Sequence, residues 1–261
     1  MPRSSPTSLL LDGVTRAAAL AHAQRRPPLD MDRAAVIAVA SLDDRILTTP
    51  VTALVAQLLD AVSPAGVVAV EADGLRQPLR GPLGAGSGGD LHGLGTNSVT
   101  DLARAQIETC ADPAGTVPFV GVAPDETWEV DGATLEVVVR RAQHRWPTVV
   151  VDLPYTCPAQ TIAAGTHLAT HVLLVTDGHH QGHDWLYREG HHLTQAAREG
   201  RVTVVMLDGP GDTGRADTVS LPAADPQYTA RERMRVPLDT WALTTYHRLL
   251  SRLYPPATAH G

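Results

Sequence analysis

The sequence predicts an α/β protein in three layers, with helices on both faces of a mainly parallel central sheet. Three observations predict it. Short continuous runs rich in Val, Ile and Ala recur along the chain, as strands buried on both faces do. Longer helical stretches separate them, and alternating strand and helix builds parallel sheets through crossovers. The 261 residues are 43% hydrophobic and 19% charged, which is enough apolar material for one large core.

Taken in order, residues 1–33 form an N-terminal arm, with a helix-like piece at 13–26 ending in Arg-Arg-Pro-Pro. Strands are predicted at 34–40, 66–72, 117–123, 148–152, 171–176 and 202–207, where apolar runs too short for helices are bounded by turn residues. Helices are predicted at 49–62, 133–145, 159–167, 185–199 and 238–253. The stretch at 78–95 (PLRGPLGAGSGGDLHGLG) is the Gly-rich segment and reads as a flexible surface loop. One α/β domain over 34–254, with a short tail at 255–261, is the simplest division.

Composition excludes several functions. Arginine accounts for all 21 basic residues, so the chain contains no lysine. Schiff-base chemistry, a lysine general base and a phosphate-binding lysine are therefore excluded. The net charge is −7 and the arginines are scattered, so no basic stripe offers itself to nucleic acid. Cys110 and Cys157 lack a Cys-x-x-Cys spacing and read as buried thiols of a reducing compartment, the cytoplasm. No run approaches the roughly 18 apolar residues of a membrane span. The Ala-, Val-, Leu-, Gly- and Pro-rich usage resembles that of a high-GC actinobacterial genome.

The first strand AAVIAVAS, the turn Leu42-Asp43-Asp44-Arg45-Ile46-Leu47-Thr48-Thr49 and the helix VTALVAQLL resemble the opening of the MinD/ParA P-loop ATPases. VVAVEAD, PTVVVDLP, ATHVLLVTDG and ADTVSLPAADP resemble later strands of that family, and the likeness runs over roughly residues 34–253. It implies a P-loop NTPase-like fold. Glu71 and Asp73 would stand at the family's Asp-x-Asp-like motif, Asp152 at the Walker B carboxylate, and Pro222 in the loop near the nucleotide base. Actinobacterial members include MinD-like and CpaE-like proteins found beside secretion machinery, type VII systems among them, and this chain looks most like those.

The departures carry the functional reading. A phosphate loop works because glycines let backbone N–H groups converge on phosphate while lysine neutralises charge. Against the family pattern Lys-Gly-Gly-x-Gly-Lys-Thr-Thr, this chain places Leu42 and Leu47 at the lysines. Asp43, Asp44 and Ile46 stand at the glycines. Each aspartate facing a triphosphate would cost about 1 to 4 kcal/mol. Thr48 could still hold Mg²⁺ with Asp152 in its outer shell, and Arg45 is the nearby cation. Alternatively, Thr48 and Thr49 simply cap the helix and Asp152 a turn.

The resemblance therefore implies a degenerate, non-catalytic member with no cofactor. Its partner would be a second copy, an active ATPase paralogue or a secretion component, and peripheral membrane association stays open. One rival is an ATPase using ATP and Mg²⁺ through a non-standard phosphate loop. A second is a metal-dependent enzyme built on the segment DGHHQGHDWLYREGHH, where His179, His180, His183 and His192 are candidate ligands near Asp177, Asp184, Glu189 and His191. No Gly-x-Ser-x-Gly elbow occurs, Ser41 and Ser98 lack a base partner, and Cys157 sits in an exposed-looking turn as a weak nucleophile candidate. Trp128, Trp146, Trp185 and Trp241 read as core or interface anchors.

Overall fold

A computed structural model describes residues 34–41, 46–62, 66–86, 89–96, 103–113, 117–177, 184–187, 192–207, 215–222 and 240–254. The predicted arm at 1–33 and tail at 255–261 lie outside the described residues. Seven described strands are β1 (Ala35–Ser41), β2 (Val67–Glu71), β3 (Phe119–Val120), β4 (Thr148–Leu153), β5 (His171–Asp177), β6 (Val202–Leu207) and β7 (Thr218–Leu221). They form one sheet in the order β3-β2-β4-β1-β5-β6-β7, with every pairing parallel. The helices are α1 (Thr49–Val62), α2 (Arg80–Leu83), α3 (Leu91–Thr96), α4 (Arg104–Thr109), α5 (Gly132–Gln143), α6 (Ala159–Leu168), α7 (Thr194–Arg198) and α8 (Thr240–Leu253), with a 3₁₀ turn at Asp184–Tyr187.

Successive side chains of a strand point to opposite faces, and β1 divides the core accordingly. Ala35, Ile37 and Val39 join Leu54, Leu58 and Leu59 of α1, Leu83 of α2, and Tyr246 and Leu249 of α8. Val36, Ala38 and Ala40 join Leu91 and Leu94 of α3, Ile107 of α4, Leu135 and Val138 of α5, and Ala196 of α7. Both faces being covered, the strands need no polar alternation, and three layers result. Pro50 sits in the first turn of α1, where its missing N–H costs nothing. Asp131 caps α5, its side chain accepting a hydrogen bond from the Thr134 amide at 2.7 Å.

The Gly-rich stretch is not a surface loop. It contains α2 and α3, with Leu79, Leu83, Leu91 and Leu94 fully buried. Each buried leucine contributes about 2 kcal/mol, which outweighs roughly 1 kcal/mol for each glycine placed in a helix. The predicted strand 117–123 shortens to Phe119–Val120: its ladder with β2 has two rungs, Ala69–Phe119 and Val70–Val120, and Phe119 also makes a single antiparallel bridge to Asp112. In place of one helix over 185–199 stand the 3₁₀ turn and α7, with 188–191 outside the described residues. α4 and β7 are absent from the periodicity reading, although the family resemblance covers β7. Of the tryptophans, Trp146 is buried, Trp128 and Trp241 are half-buried, and the side chain of Trp185 is outside the described set.

Candidate functional site

Open parallel α/β sheets bind ligands outside the carboxyl ends of their strands, and the carboxylates of this chain gather there. β4 lies between β1 and β2, and its Asp152 stands in register with Val39 on one side and Glu71 on the other. By strand alternation Asp152 shares a face with Val150, which packs in the core under α1. The start of α1 therefore overhangs the Asp152 carboxylate. Thr48, Thr49 and Thr52 lie on that inner side, and all three are buried.

All three hydroxyls donate to this one carboxylate. Thr49 Oγ1 donates to Oδ2 at 2.8 Å, and Thr48 and Thr52 donate to Oδ1 at 2.9 and 2.6 Å. The N-terminus of α1 adds the positive end of its dipole. Burial nevertheless wins. Asp152 has no solvent exposure, and desolvation lifts its pKa to about 6 against the pull of the three hydroxyls. Thr48 is not a side-chain cap: its carbonyl accepts the Thr52 amide at 2.9 Å while its hydroxyl is spent on Asp152.

Glu71, also fully buried, accepts a hydrogen bond from the Leu79 amide at 2.7 Å through Oε2, while Oε1 has no partner. Burial first, and the neighbouring Asp152 second, push its pKa well above the ordinary carboxylate range. Both effects favour its protonated form. Asp73 serves a turn: its Oδ1 accepts the amides of Leu75 and Arg76, both at 3.0 Å. Its Oδ2 accepts the Thr156 hydroxyl, which ties the loop after β4 to the loop after β2.

Cys157 is buried, which agrees with its reading as a buried thiol and not with the exposed turn that the nucleophile alternative needs. Burial and the surrounding Asp73, Asp152 and Glu71 push its thiol upward and keep it protonated, so it is no nucleophile at neutral pH. Cys110 is half-buried.

Thr48, Thr49, Glu71, Asp73 and Asp152 thus come together. Pro222 does not join them: it is buried at the end of edge strand β7, and three strands separate β7 from β4. Asp43, Asp44 and Arg45 lie outside the described residues, while Ile46 is buried and Leu47 is 63% exposed. His179, His180, His183 and His191 also lie outside them. His192 is described and exposed, and burial of part of its ring lowers its pKa. Among the described residues no group of three His, Cys, Asp or Glu is placed to hold a metal ion. Thr52 escaped sequence reading; its signal is its place one turn after Thr48, on the same helix face.

No protein-family model and no curated protein matches the sequence. Solved structures do match the fold. A ParA family ATPase from Chlorobium tepidum TLS superposes with a TM-score of 0.59 at 14% identity, over 83% of this chain and 98% of that one. The MinD cell division protein of Aquifex aeolicus gives 0.59 at 16%, over 84% and 98%. The MinC:MinD cell division protein complex of the same organism gives 0.58 at 15%, over 84% and 96%. At such identities the shared property is architecture: the chain has the MinD/ParA-type P-loop NTPase fold.

Proposed function

We propose that this chain is a degenerate MinD/ParA-type protein that does not hydrolyse ATP and acts as a non-catalytic binding, scaffold or regulatory partner. The observation that carries the reading is Leu47. It occupies the position of the second phosphate-loop lysine, its apolar side chain is 63% exposed, and no lysine exists elsewhere to replace it. The residues fit half of a magnesium–nucleotide site. Thr48 and Asp152 suit the cation; Leu42, Asp43, Asp44 and Leu47 do not suit a triphosphate. Arg80, at the start of α2, is no substitute. Its guanidinium donates to the carbonyls of Gly86 and Val122, both at 2.6 Å.

The partner reading has its own support. Among the described residues the exposed large apolar side chains are Leu47, Leu75 and Tyr155. They follow β1, β2 and β4, three adjacent strands, so they share the end of the sheet where Asp152 lies. A fold neighbour, MinD of Aquifex aeolicus, is seen in complex with MinC. A protein partner on this face, a second copy or an ATPase paralogue, is the reading we adopt. Its setting in an actinobacterial secretion or envelope assembly rests on the resemblance alone. No described helix is long and apolar enough to cross a membrane.

One observation favours a second reading, a Mg²⁺-dependent ATPase with a non-standard phosphate loop: the Thr48–Asp152 hydrogen bond places a hydroxyl and a carboxylate where a cation could be held. Calorimetric titration with ATP and ADP in the presence of Mg²⁺ separates the two. The pseudo-ATPase reading expects no heat and no thermal shift at millimolar nucleotide. Micromolar binding abolished by Thr48→Ala would overturn it.

A further inference from the structure

The loops after β2 and β3 build a second feature, away from the Asp152 carboxylate. An open cleft of about 410 Å³ is lined by His92, Glu126, Thr127 and Trp128, within the size range of small-ligand sites. Trp128 is half-buried and packs against the core beneath it. His92 stands on α3, which is anchored by the buried Leu91 and Leu94. The two rings meet edge-on, with centroids 4.9 Å apart and planes at 73°, and so form an aromatic corner.

The corner is held in place by backbone. The Trp128 amide donates to the Gly74 carbonyl at 3.3 Å. Gly74 is required there, since a Cβ would lie 1.9 Å from the Trp128 carbonyl oxygen. Gln77, in the left-handed region at φ 48°, donates through Nε2 to the carbonyls of Ala123 and Glu126 at 3.2 and 3.4 Å. A cleft built this way loses little freedom when something enters it.

Glu126 is the carboxylate that lines the cleft, together with the imidazole of His92, and it sits in an acidic stretch. Residues 125–131 read Asp-Glu-Thr-Trp-Glu-Val-Asp, four acids and no base, and Asp125, Glu126, Glu129 and Asp131 are all exposed. An indole beside an uncommitted carboxylate is a receptor for a planar cation. Guanidinium stacks on an aromatic surface and offers paired donors to a carboxylate, whereas ammonium is a compact, strongly hydrated point charge.

We infer that this cleft is a docking site for an arginine side chain presented by a partner protein, seated against Trp128 and paired with Glu126. The inference does not depend on the loss of nucleotide binding, and nucleotide titration leaves it untouched.

The test uses the whole chain and a peptide of three Gly-Arg repeats, followed through the four tryptophan indole N–H signals in NMR. Trp128→Phe assigns the Trp128 signal by its disappearance. The expected result is a saturable shift of that signal, absent with the same peptide carrying neutral citrulline for arginine. Glu126→Gln, a change at an exposed side chain, is expected to weaken binding about two- to fivefold. Glu136→Gln on α5 is expected to leave it unchanged. Equal affinity for wild type and Glu126→Gln, equal movement of all four indoles, or no shift at millimolar peptide would each overturn the inference.

Discussion

Thr52 Oγ1 lies 2.6 Å from Asp152 Oδ1 and 3.2 Å from the carbonyl of Thr48, so its single proton sits between a buried carboxylate and the ordinary acceptor of a helical threonine. The shorter contact, to the group that carries charge, takes the proton. Thr52→Val keeps the volume and removes the donor. A hydrogen bond to a charged, buried partner contributes about 2 kcal/mol, which lowers the midpoint of thermal unfolding by about 4 to 8 °C in a chain of this size. Thr52→Ser, which restores the hydroxyl, is expected to recover most of the loss. Equal melting of the Val and Ser variants would show that the hydroxyl carries none of it.

The buried acids make stability depend on pH in an unusual direction. Asp152 titrates near 6 in the folded chain and near 3.9 when unfolded, and Glu71 is displaced the same way. Between these values the folded state binds more protons than the unfolded one, so stability falls as pH rises. The advantage is complete below the unfolded pKa and is lost as pH climbs through about 6. For Asp152 alone it amounts to about 3 kcal/mol. Urea unfolding midpoints are expected to be higher at pH 5 than at pH 7, with Asp152→Asn flattening the difference. A midpoint that falls on acidification over this window would contradict the burial of both acids.

Much of this architecture is written locally. The run VVVD at Val149–Asp152 has the continuous apolar character that burial on both faces demands, and it ends in a carboxylate where the strand meets the overhanging helix. α1 is legible because Pro50 stands in its first turn and the stretch 53–62 is largely apolar and free of glycine. The Gly-rich stretch misled for a physical reason. Leu79 and Leu83 at i, i+4 and Leu91 and Leu94 at i, i+3 are helix-facing pairs, but the surrounding glycines and prolines carry the stronger local signal. Cys157 is buried, as the reading of it as a buried thiol expects, and only the look of its local turn pointed the other way. Thr52 has a local signal, its place one turn after Thr48, but its acceptor is fixed only by the packing of α1 over β4.

Arg80 holds the Gly-rich stretch on the sheet edge. Besides the Gly86 and Val122 carbonyls it donates through Nε to Gln77 Oε1 at 3.0 Å, and its guanidinium lies 5.0 Å from the Phe119 ring centroid. Arg80→Ala withdraws these donors at once and is expected to cost about 2 to 4 kcal/mol. Amide exchange is expected to accelerate chiefly through α2 and α3. Arg80→Lys keeps the charge without the planar fork, so it should recover less than half of the loss. Full recovery by lysine in thermal melts would reduce the role of Arg80 to charge alone.

Leu47 offers the most direct trial of the proposal that the phosphate site has been lost. Being 63% exposed, it can become lysine with a stability change within about 0.5 kcal/mol, which leaves binding as the readout. Asp43→Gly and Asp44→Gly remove two carboxylates that each oppose a triphosphate by about 1 to 4 kcal/mol. Thr48 and Asp152 stand 2.9 Å apart, so the pair proposed to face the cation is left as it is. The triple variant Asp43→Gly, Asp44→Gly, Leu47→Lys is therefore expected to bind ATP with Mg²⁺ at least tenfold more tightly than the parent, about 1.4 kcal/mol, in calorimetric titration. Asp152→Asn in that background should reduce the gain by withdrawing the charge that faces the cation. A triple variant no better than the parent would contradict the reading that charge and a missing lysine alone separate this loop from a working one, with the buried Ile46 the next position to change.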